Sequence, residues 1–119
     1  MYKIRFYADK NGKSDVREYI EKLHSKTGKD ARIRSNKINE YFTVLANRGT
    51  RAGLPYVKHI DGEIWELRPL DDRFMFAALI ENQLVVLHQF RKTTQKTPQR
   101  EIEKAKRELK DLKERMEKK

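Results

Sequence analysis

After Leu54 the chain changes period and is cut at short intervals by three turn signals: Asp61-Gly62, Leu70-Asp71-Asp72-Arg73 and Glu81-Asn82-Gln83-Leu84. Asp-Gly between apolar runs favours a hairpin, because both residues tolerate the positive φ that a tight turn requires. Segments this short, rich in β-branched and aromatic residues, have room only for strands that fold straight back. The spacing therefore predicts an antiparallel meander of four strands, at about 55–60, 63–70, 73–81 and 84–91.

The flanks follow other periods. Residues 2–8, YKIRFYA, alternate as an opening strand. A turn over Asp9–Lys13 leads to a helix capped by Ser14 or Asp15, with Val16, Tyr19, Ile20 and Leu23 on one face. A second helix spans Lys29–Arg48 and places Ala31, Arg34 (by its stem), Ile38, Tyr41, Phe42 and Leu45 on its apolar side, with Gly49 as its stop. Thr97-Pro98 opens a last helix carrying the stripe Ile102, Ala105, Leu109, Leu112 and Met116. The order is β-α-α-β-β-β-β-α, an α+β fold in one domain, 1–119, with the helical hairpin on one face of the sheet.

Several classes are excluded at once. The chain has no cysteine, which removes disulfide scaffolds, thiol nucleophiles and cysteine zinc sites. Its three histidines lack metal-ligand spacing, and no glycine-rich phosphate loop precedes a helix. Its longest apolar run, Phe74 to Ile80, is too short to span a membrane, and MYKIRFYADK is not a signal peptide. A cytoplasmic protein without a membrane partner is expected.

Charge then points toward a partner. Twenty-eight Lys and Arg against eighteen Asp and Glu give a net +10. Only +3 of this lies in 97–119, so the excess is not confined to the terminal helix. Such a surplus suits a polyanion.

If the later turns are two-residue loops, one sheet face collects Trp65, Leu67, Phe74, Phe76, Ala78, Val85 and Leu87, the expected core against the hairpin. The other, open face carries Ile64, Leu79 and Val86 at one end and Arg68, Arg73 and Lys92 at the other, with Glu66, His88 and Phe90 nearby. Three cations on adjacent strands repel one another unless an anion joins them, as a phosphate would. Phe90 offers a surface on which a base can stack. Arg91, Lys92, Lys96, Thr93 and Thr94 form a basic, hydroxyl-rich loop suited to a phosphate backbone. His88 is the best-placed general acid or base, or else a half-buried partner of Glu66. The Asp61-Gly62 turn leaves two arrangements open: a two-residue loop puts His59 on the open face, a bulged one Lys58.

The segments IWELRPL, RFMFAAL and LVVLHQFRKTTQKTP, followed by an EIEKA helix, resemble the RelE/HigB-type toxins of bacterial toxin–antitoxin pairs, nearest their phage-derived branch. The resemblance implies a RelE-like fold and an endoribonuclease acting on mRNA, often in the ribosomal A site, held inactive by an antitoxin. Carried over by position, Arg68 and Arg73 would bind the scissile phosphate, and Lys92 and Lys96 the backbone or transition state. Arg91-Lys92 stands where Lys-Lys is common. The full expectation is catalysis by Arg68, Arg73, Lys92 and His88, with RNA binding by Lys58, Phe90, Arg91 and Lys96. No metal or cofactor is expected, since RNA supplies its own 2′-hydroxyl nucleophile. The antitoxin is expected to be a helix-turn-helix protein, with DNA reached only through that complex. Two other readings use the same cationic face: a non-catalytic RNA- or ribosome-binding module, and a basic subunit for an acidic partner.

Overall fold

A computed structural model describes residues 1–117. It contains β1 (Lys3–Phe6), α1 (Asp15–Ser25), α2 (Lys29–Arg48), a 3-10 turn (Gly49–Ala52), β2 (Val57–Asp61), β3 (Ile64–Leu67), β4 (Asp72–Ala78), β5 (Gln83–Arg91) and α3 (Gln99–Glu117). The element order and the α+β class are those predicted.

Ser14 caps α1, its Oγ accepting from the Arg17 amide at 3.2 Å. Gly49 ends α2 at φ +58°, and a Cβ there would meet the Tyr2 ring at 2.6 Å, so both conformation and space demand glycine. The five strands run in the order β1-β5-β4-β3-β2. β1 lies parallel to β5, and every other pairing is antiparallel. The two helices between β1 and the meander give the chain the length that a parallel pairing requires.

Both faces of the sheet are covered. Val16, Leu23, Ile38 and Leu45 of the hairpin pack on Val57, Leu67, Phe74, Phe76, Leu84 and Val86. On the other side the α3 stripe Ile102, Ala105, Leu109 and Leu112 packs on Ile64, Met75, Ala77, Val85 and Leu87. The face expected to be open is therefore closed over its apolar half.

Three further details of the sheet depart from expectation. First, the turns are not two-residue loops with Leu70 on Arg73 and Glu81 on Leu84. Leu67 pairs with Phe74 around a turn in which Leu70 has φ +54°, and Ala78 pairs with Leu84 around Glu81 and Asn82, both also at positive φ. β4 thus sits two residues along from its expected place, so Glu66 faces Met75 and Met75 faces His88. Second, a bulge in β5 leaves Leu87 without a partner between the His88 and Val86 pairings. One extra residue flips the alternation, which moves Val85 and Leu87 to the α3 side and Val86 to the hairpin side. Ala78, also assigned to the core, is exposed.

Third, Asp72 is not a turn residue. It opens β4 at 1% exposure and accepts from Tyr19 Oη at 2.5 Å, Arg34 Nη2 at 3.0 Å and Gln89 Nε2 at 3.2 Å. Tyr19 is drawn in by this carboxylate, and burial followed by that hydrogen bond pushes its hydroxyl pKa up to about 12. Arg34 thus contributes its head group as well as its stem.

Candidate nucleic-acid interface

The uncovered end of the α3-side face forms a narrow cleft between β3, β4, the end of β5 and loop 92–98. Its lining includes Glu66, Arg68, Arg73, Phe90, Lys92, Lys96 and Thr97. Glu66 lies at its base, 1% exposed, because β3 turns this residue toward the α3 side between Trp65 and Leu67, which face the hairpin.

A buried carboxylate needs partners, and Glu66 has three. Oε1 lies 3.4 Å from Arg68 Nε and 3.7 Å from Arg73 Nε, while Oε2 accepts from Thr97 Oγ1 at 2.9 Å. Arg73 is itself buried, and its Nη1 donates to the carbonyls of Leu70 at 2.7 Å and Asp72 at 2.9 Å. Burial, then repulsion from Arg68, lowers the Arg73 pKa from the ordinary arginine value. Arg68 is more open, at 23% side-chain exposure, and its Nε makes no hydrogen bond. Four cations and one carboxylate line the cleft. An arriving anion would relieve the repulsion and offer the guanidinium N–H groups further acceptors.

Loop 92–98 closes the rim. The Lys92 amide donates to the Asp71 carbonyl at 2.8 Å, and Thr94 Oγ1 to the Lys96 carbonyl at 2.7 Å. Thr97 then anchors the far end on Glu66, just before α3 begins.

The structure therefore brings Arg68, Arg73, Lys92, Lys96 and Phe90 together. Lys58 pairs across the strands with Glu66, on the same sheet face one strand out, and is exposed. The β2–β3 turn is the bulged form, so Lys58 takes this face while His59 packs edge-on against Trp65 at 4.9 Å. Arg91 is not in the cleft lining; it pairs with Asp72 and follows Phe90 by one residue, which sets it toward the hairpin side. His88 is also outside the lining. It is 6% exposed, with Nε2 at 2.5 Å from Glu101 Oε1 rather than on Glu66. Burial lowers its pKa below the ordinary histidine value against the pull of Glu101.

Thr97 and Glu101 were not legible as site residues, although Thr97 stands in the Thr-Pro pair that signals the helix start. A roomier groove lies at the far end of α3, walled by Leu79, Ile80 and Met116, and its lining holds a single cation, Lys113, beside Glu63 and Glu117. No group of His, Cys, Asp and Glu among the described residues is arranged to hold a metal ion. No described helix is long and apolar enough to cross a membrane.

The family model described as Phage derived protein Gp49-like (DUF891) matches residues 18–110, well over half the chain and all of the cleft. No curated protein matches.

Proposed function

The chain belongs to the Gp49-like family of phage-derived proteins, a RelE-like toxin family, and on that premise we propose that its cationic cleft cleaves RNA. Membership implies an antitoxin partner in general terms. The observation that carries the proposal is the pair of arginines converging on buried Glu66 beneath a basic loop and an aromatic face.

The chemistry follows from what each group can do. RNA binds with its scissile phosphate against Arg68, Arg73 and Lys92 and one base against Phe90. Lys96, with Lys58 further out, holds the flanking backbone. The 2′-hydroxyl attacks phosphorus, forming the 2′-O–P bond, and its proton passes to Glu66, the one carboxylate lining the cleft. The P–O5′ bond breaks and Lys92 protonates the departing oxygen. The products are a 2′,3′-cyclic phosphate and a 5′-hydroxyl. The cations contribute most by stabilising charge as it develops on the phosphorane, and the cleft by fixing the in-line geometry. No step requires a metal.

In this reading the protein is a HigB-like mRNA interferase in the cytoplasm, acting on mRNA at the ribosome. A helix-turn-helix antitoxin neutralises it and supplies any contact with DNA. The test is incubation of the purified protein with mRNA, free and on ribosomes, beside Arg68→Ala. The wild type should cut and the variant should not. Salt-dependent RNA binding without cutting by the wild type would replace this reading with a non-catalytic RNA-binding module.

A further inference from the structure

We propose that His88 is a positioning residue, which holds Phe90 and loop 92–98 in their binding arrangement by clasping Glu101. This rests on the ribonuclease reading of the cleft.

The geometry comes from three elements. His88 lies near the end of β5, where pairing with Met75 sets it on the α3 side. Its ring stacks on Phe90, with centroids 5.8 Å apart and planes inclined by 25°. Phe90 in turn is part of the cleft wall, whereas His88 is not. On its other side His88 Nε2 meets Glu101 Oε1 at 2.5 Å. A carboxylate only accepts, so the imidazole donates through Nε2.

Glu101 is in the first turn of α3, where a carboxylate suits the helix N-terminus. Loop 92–98 is the segment between these two clasped positions. Its ends are fixed by His88 to Glu101 and by Thr97 to Glu66, so both ties close the same loop. The flat face of His88 also stops Phe90 from turning inward, leaving its other face for a base. Nδ1 is buried without a hydrogen-bond partner. Neither ring nitrogen is therefore presented to a phosphate in the cleft: Nε2 is occupied and Nδ1 is enclosed. This geometry suits a support better than a proton carrier.

The test uses the full chain carrying His88→Ala, His88→Gln, Glu101→Ala, Phe90→Ala or His88→Ala with Phe90→Ala. A fully 2′-O-methylated RNA oligonucleotide of mixed sequence measures Kd, and the unmodified oligonucleotide measures kcat and KM across pH. Stacking of one base on an aromatic ring is worth about 5- to 150-fold in affinity. His88→Ala and Glu101→Ala should each raise Kd and KM by up to that amount while kcat stays within about threefold, far from the effect of losing an acid or base. On the Phe90→Ala background His88→Ala should add little, because both act on one stacking surface. His88→Gln, which keeps an N–H for Glu101, should recover part of the loss, and the pH profile of kcat should keep both limbs.

A fall of a hundredfold or more in kcat at unchanged Kd, with one limb of the pH profile lost, would make His88 a proton carrier and overturn the proposal. Unchanged Kd in both His88→Ala and Glu101→Ala would overturn it too. If the wild type cuts no RNA, free or on ribosomes, the ribonuclease reading fails, yet the Kd series on the methylated oligonucleotide still decides whether the clasp shapes the binding surface.

Discussion

Arg68 and Arg73 direct their Nε atoms at the same oxygen, Glu66 Oε1, from 3.4 and 3.7 Å, but only Arg73 is also tied to the backbone. The two arginines thus share one carboxylate oxygen and are unequal toward the fold. Arg68→Ala should abolish cleavage with little change in melting temperature. Arg73→Ala should abolish cleavage and also destabilise by about 1–3 kcal/mol, since the carbonyls of Leu70 and Asp72 lose their donor. Paired melting curves and cleavage assays check this.

The buried carboxylate of Asp72 gives a second prediction. It joins α1, α2 and β5 to the first residue of β4, with Arg34 at 14% side-chain exposure as its ionic partner. Asp72→Ala leaves a largely buried guanidinium without its counter-charge, which should cost about 3–5 kcal/mol in urea unfolding. Cleavage by the remaining folded protein should also fall, because Asp72 directly precedes Arg73.

Glu108 gives a dependence on pH. Its carboxyl is pushed up to about 7, mainly by burial, and its Oε1 has no hydrogen-bond partner. A carboxyl whose folded pKa lies above its unfolded one favours folding while protonated. That contribution is full below the ordinary value of 4.5 and is lost as pH rises toward 7. Glu108→Gln should therefore leave the melting temperature nearly unchanged at pH 4 and raise it at pH 8. Thermal scans at the two pH values check it.

The α3 stripe yields a fourth. Leu109 is 5% exposed and packs on the sheet, whereas Lys110 is on the wet side. Leu109→Ala should cost about 2–5 kcal/mol in chemical unfolding. Lys110→Ala should alter neither unfolding nor cleavage.

These residues also show where sequence reading succeeds and where it stops. The elements were legible because Val16, Ile38, Leu45 and Leu109 fall on helical periods and Asp-Gly marks a turn. Arg68, Arg73 and Phe90 were placed on one face correctly because β4 slid by two residues, and a shift of two preserves the face. The β5 bulge reverses Val85, Val86 and Leu87, and nothing in their side chains signals it. Asp72 looked like turn chemistry because Asp favours turns; only the arrival of Tyr19 and Arg34 from the hairpin makes it a core residue. The pairing of His88 with Glu101 depends on where α3 docks, which the apolar stripe alone does not specify.

In the proposed mechanism RNA itself supplies the nucleophile, in a cleft organised by Arg68, Arg73 and Lys92. Its most direct test is mass spectrometry of the ends made when purified protein cuts a defined RNA in the presence of EDTA, beside an all-2′-deoxy oligonucleotide of the same sequence. Attack by the 2′-hydroxyl leaves 2′,3′-cyclic or 3′-phosphate ends with 5′-hydroxyl partners, and an intact deoxy strand. Ends bearing a 5′-phosphate, or cutting of the deoxy strand, would contradict this mechanism.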